Sequence, residues 1–99
     1  MGYDYKTASL TAENTFTDWL APFKKSGYID FAITGTWAGT LTIQKRQERG
    51  GVYTDPIDVE SYIANSANYI EDHVWGAEYR IGFKTGDYTS GTAIVRLDR

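Results

Sequence analysis

Cysteine is absent from this 99-residue chain, which removes disulfides, thiolate metal sites and cysteine nucleophiles together and leaves the redox compartment open. Histidine is nearly absent: His73 stands alone beside Glu71 and Asp72. One imidazole does not make a zinc site, and a lone histidine in an acidic stretch reads as a surface residue rather than a catalytic base. Only Pro22 and Pro56 interrupt the chain, both at positions that suit strand ends or edges. No apolar run approaches the roughly 20 residues of a membrane span. The opening "MGYDYKTASL" lacks the apolar segment of a signal peptide, so the expectation is a chain made without Sec export and with no membrane partner. A basic stripe is missing too. The net charge of −3 argues against direct nucleic-acid binding, which needs cations to neutralise phosphates.

What the chain does have is aromatic residues at 15%, eight of them tyrosines, together with ten glycines and many threonines. Aromatics and threonine suit a pleated, half-buried surface, and glycine suits the turns between strands. Alternation confirms the pattern. "GYIDFAIT" (27–34) sets Ile29, Phe31 and Ile33 on one face. "GTLTIQKRQ" (39–47) does the same with Leu41 and Ile43, and "AEYRIGFK" (77–84) with Tyr79, Ile81 and Phe83. "GTAIVRLD" (91–98) places Ala93, Val95 and Leu97 together. "TFTDWLA" (15–21) and "IDVESYIA" (57–64) also read as strands, Gly50-Gly51 reads as a hairpin turn, and 65–76 is left open between strand, loop and a helical turn. The expected fold is all-β: a single small antiparallel β-sandwich, jelly-roll or immunoglobulin-like, of about six to eight strands. Residues 27–99 form its core. Residues 1–26 supply an N-terminal arm and first strand, docking on the sandwich or on a neighbour.

Charge is unevenly spread. Residues 1–50 carry six Lys/Arg against five Asp/Glu, whereas 51–99 carry four against eight. Between Arg49 and Arg80 there is no Lys or Arg, but there are Asp55, Asp58, Glu60, Glu71, Asp72 and Glu78. That segment reads either as a solvated edge or as an acidic surface for a basic partner or divalent cation. Its spacing does not match an EF-hand loop, so no metal is expected.

Two motifs invite chemistry and fail. Lys84-Thr85-Gly86 is the tripeptide of active-serine acyltransferases, which also need a serine followed three residues later by lysine. Here Ser9, Ser26, Ser61, Ser66 and Ser90 are followed at that spacing by Ala12, Ile29, Ala64, Tyr69 and Ala93. Gly86–Gly91 is not a phosphate cradle either, because it joins two strand patterns rather than opening a helix. It reads as a turn that displays Tyr88. No catalytic residue and no cofactor is expected. Trp19, Trp37 and Trp75 are candidate interaction residues, together with Tyr88. Aromatics on a small sandwich serve as core, as inter-subunit contacts, or as a sugar-stacking platform.

The combination of "GYIDFAITGTWAGTLTIQKRQERGGVYTDPIDVESYIAN" with "EYRIGFKTGDYTSGTAIVRLDR" resembles small virion proteins of tailed bacteriophages. The matching positions are Gly35, Trp37, Gly39-Thr40, Thr42 and Gln44, then Val59-Glu60-Ser61-Tyr62, then Tyr79 through Leu97. The resemblance implies a non-enzymatic structural protein, a capsid decoration or cement protein or a head–tail or tail component. It implies assembly into the virion in the host cytoplasm, other virion proteins (capsid, connector or tail) as partners, and a homo-oligomer. The alternative reading is a carbohydrate-binding β-sandwich module that recognises a receptor or glycan.

Overall fold

A computed structural model describes residues 5–22 and 27–99, and every described element is a strand. In chain order these are β1 (Tyr5–Leu10), β2 (Thr15–Phe16), β3 (Tyr28–Arg49), β4 (Val52–Tyr53), β5 (Ile57–Tyr62), β6 (Ser66–Glu71) and β7 (Ala77–Asp98). All pairings are antiparallel. The all-β sandwich expected from the alternation is what forms.

Its framework is two strands of 22 residues each, β3 and β7, against a usual strand length of about 5–6. They pair along nearly their whole length, from Asp30 with Asp98 to Gln47 with Ala77. The register shifts twice at one corner, on either side of the Gly39–Tyr88 pair. Between Ala38–Ser90 and Leu41–Phe83, β3 advances three residues while β7 advances seven, so the excess residues of β7 form a bulged corner. Gly39 and Gly91 sit at that corner with φ of +138° and +85°. A Cβ on Gly39 would fall on the Asp87 carbonyl, and one on Gly91 on the Thr36 carbonyl, so the strands approach here only because both side chains are missing.

The corner folds the sheet over on itself. One layer holds β1, the C-terminal half of β7, the N-terminal half of β3, and β6. The other holds β2, the N-terminal half of β7, the C-terminal half of β3, and β5, with β4 extending it. Leu10, Ile29, Phe31, Ile33, Ala93, Val95 and Leu97 from the first layer share one core with Leu41, Ile43, Tyr79, Ile81 and Phe83 from the second. Phe31 meets Tyr62 across the layers at 5.3 Å between ring centroids. The thin dimension of 19 Å suits two sheets packed about 10 Å apart.

Several local expectations change, and the two strand patterns at 27–34 and 39–47 are one strand, β3. Segments 77–84 and 91–98 are one strand, because positive φ at Gly86 and Gly91 bends the chain where a hairpin would reverse it. Tyr88 is therefore not displayed at a loop tip: its ring packs 5.1 Å from Phe83, and its hydroxyl donates to the Gly91 carbonyl. In 15–21 only Thr15–Phe16 is a strand, with a single further bridge from Leu20 to Tyr79. The open segment 65–76 resolves into β6 and a loop. Of the expected arm, Tyr5–Leu10 is paired to β7 as β1, while residues 1–4 and 23–26 lie outside the described residues.

Candidate contact surface

The three tryptophans have been separated by the fold. On the outer face of the second layer, cations and rings alternate in a stack. The Arg80 guanidinium lies 3.9 Å from the Phe16 ring centroid and 4.6 Å from that of Trp19. Arg46 lies 4.3 Å from Trp19 and 3.8 Å from Tyr53. Arg46 and Arg80 project side by side because β3 and β7 pair Arg46 with Glu78 and Gln44 with Arg80. Each guanidinium is held in place, Arg46 by Glu78 at 2.8 Å and Arg80 by the Gln44 carbonyl oxygen at 2.9 Å. Burial, and then the like charge of Arg46, pull the Arg80 pKa down. The stack clamps 15–20 onto the sheet, and Trp19 is part of that clamp.

Trp37 is locked at the corner. Its indole N–H donates to Asn65 Oδ1 at 2.7 Å, Asn65 donates to the Gly35 carbonyl, and the ring meets Phe83 edge-on at 5.8 Å. Only Trp75 among the three is largely exposed, at 64%. Its loop is pinned: the Glu48 N–H donates to the Gly76 carbonyl, Arg49 donates to the Trp75 carbonyl, and Asp72 accepts from the Val74 N–H. A cavity of about 460 Å³ lies beside it, with Glu48, Asp72, His73 and Glu78 among its lining residues. Trp37 and Tyr88 thus meet on the same Phe83 ring at the corner, whereas Trp19 lies in the arginine stack and Trp75 on its loop, so the four do not form one shared platform.

The acidic segment is largely answered from within the chain. Lys45 and Asp72 meet at 2.6 Å, Lys84 and Asp58 at 2.6 Å, Arg46 and Glu78 at 2.8 Å, and His73 and Glu71 at 3.0 Å. Asp72 is the most buried of these carboxylates. Burial opposes its charge, but the Lys45 ammonium, the Tyr79 hydroxyl at 2.6 Å and the Val74 amide together hold its pKa below the usual carboxylate range. Asp58 is likewise held low by hydrogen bonds from Lys84 and Gln44. The lysine of Lys84-Thr85-Gly86 is therefore a salt-bridge partner. Among the described residues no cluster of His, Cys, Asp and Glu is placed to hold a metal ion.

What the tryptophans do not supply, β4 and β5 do. Val52, Ile57, Val59 and Ile63 are exposed by 70%, 60%, 45% and 80%, and Tyr53 is half exposed. Register places them along one flank of β3: β4 pairs with Glu48–Arg49 and β5 with Leu41–Lys45. Among the described strands, β5 pairs with β3 alone and so leaves its other edge open. Apolar side chains along an open edge are what a soluble monomer avoids. Sequence reasoning took 57–64 for an ordinary half-buried strand. Alternation was the only signal available, and it does not show that nothing covers the core-side positions.

Comparison with known proteins finds no match for this chain among protein-family models, curated proteins or solved structures. No helix among the described residues is long and apolar enough to cross a membrane.

Proposed function

We propose that this chain is a non-enzymatic structural protein of a tailed-bacteriophage virion that acts by protein–protein contact, as a capsid decoration protein or a head–tail or tail component. The observation that carries the contact reading is the apolar flank formed by Val52, Ile57, Val59 and Ile63 on the open side of β5. The virion assignment adds the sequence resemblance described above. The groups that suggested chemistry have structural partners: Lys84 is held by Asp58, and His73 sits against Glu71 with its ring packed on Gly27. Mass-spectrometric copy counting in purified particles tests the reading. The chain is expected at a fixed number of copies per particle, and its absence refutes the assignment.

One observation favours glycan binding as a second reading. Trp75 is exposed on a pinned loop beside a cavity that carries carboxylates and an imidazole, the mixture of stacking surface and acceptors that sugars use. Glycan-dependent quenching of tryptophan fluorescence that Trp75→Ala abolishes would support it.

A further inference from the structure

We propose that the open flank of β4 and β5 is covered by a second copy of this chain in an isologous, twofold contact. This rests on the contact reading above and names the occupant. Two of the carboxylates on the flank are already answered within the chain. Asp58 is held by Lys84 and Gln44, and Glu60 accepts a hydrogen bond from Tyr62. The dominant unsatisfied property is apolar area, which a surface of the same composition satisfies. The opposite edge of the sheet differs. β1 carries Lys6, the kind of residue that blunts an edge, and Tyr5 is its single exposed large apolar side chain.

Strand register makes the self-contact geometrically consistent. Residues directly opposite in an antiparallel pair share a face. Tyr62 and Ile57 therefore lie on the core side with Leu41 and Lys45, while Ser61 and Asp58 lie on the outer side with Thr42 and Gln44. A twofold axis between Val59 and Glu60 sets Ile57 against Tyr62 of the second copy, both on the core side. It also sets Asp58 against Ser61, both on the outer side. In that register Asp58 stands opposite Ser61, and Glu60 stands opposite Val59. The bulge in β5, opposite Ile43 and Gln44, falls at this axis, and the strands pair on either side of it.

Sedimentation velocity on the full chain across a concentration series tests the proposal. A reversible dimer is expected. Ile57→Lys with Val59→Lys should return it to monomer with unchanged circular dichroism, because both side chains are largely outside the core. Ile63→Lys, beyond the end of β5, guards against misfolding of the double variant and should weaken the dimer on its own. Tyr5→Lys on the opposite edge should leave it intact. A wild-type chain that stays monomeric at every concentration overturns the proposal, as does a dimer that survives all three flank substitutions. A monomer that still enters particles would overturn this occupant while leaving the virion reading in place. A dimer absent from every particle would do the reverse.

Discussion

Replacing Asp72 with alanine removes one side chain and strands three partners. The carboxylate is only 7% exposed and holds the Lys45 ammonium, the buried Tyr79 hydroxyl and the Val74 amide. Breaking a buried ion pair from one side costs about 3–5 kcal/mol when the surviving charge is trapped. Lys45 is 23% exposed and can turn partly toward water, which lowers the expected cost to roughly 2–3 kcal/mol. A domain of this size loses roughly 4–8 °C of melting temperature per kcal/mol, so calorimetry should show a drop of about 10–20 °C. Asp72→Asn adds a pH signature. Asp72 ionises more readily in the fold than in the unfolded chain, so its contribution is complete above about pH 4 and disappears as pH falls through the lower folded value. The wild type should therefore exceed Asp72→Asn near neutrality and converge with it in acid. A drop of less than about 3 °C for Asp72→Ala, or a gap to Asp72→Asn that does not change with pH, refutes the view that this carboxylate ties β3, β7 and the 72–76 loop together.

Two further perturbations probe other parts of the fold. Gly82→Ala should lift β2 from the sheet, because the new Cβ falls on the Thr15 carbonyl and the Phe16 ring. A loss of about 1–3 kcal/mol and a change in Trp19 fluorescence are expected, as the Phe16–Arg80–Trp19 stack opens. In alkali, burial and the Glu60 carboxylate push the Tyr62 phenol up to about 12, and burial with Asp72 pushes Tyr79 higher still. The stability these phenols contribute is present below the ordinary phenol pKa of about 10 and is lost as pH rises through the raised values. A late component of phenolate absorbance, appearing together with unfolding, should mark them.

The strands were legible because period-two alternation records burial directly, and Ile29, Phe31, Ile33, Leu41, Ile43, Ile81 and Phe83 all fall in the core as their spacing requires. Continuity was not legible. Gly35 and Gly39 look like the end of one strand and the start of another, and Gly86 and Gly91 like a hairpin, because positive φ signals a change of direction without saying whether the chain bends or reverses. The answer lay in β3 and β7 bending at the same place, a pairing more than 40 residues apart in sequence. Composition marked the tryptophans as contacts. Register then placed Trp19 between two arginines and Trp37 against Phe83. The β4–β5 flank was hidden for the opposite reason: Ile57 and Val59 carry a strand pattern that normally means burial, and only the sheet order shows the edge left open.

The most direct test of contact through this flank is incorporation. Particles assembled with the wild-type chain, and with the Ile57→Lys and Val59→Lys double variant, should be purified in parallel and their copies of this protein counted by mass spectrometry. A fixed copy number for the wild type that collapses for a folded variant is the predicted result. Absence of both from the particle, or equal incorporation of the two, would contradict the account.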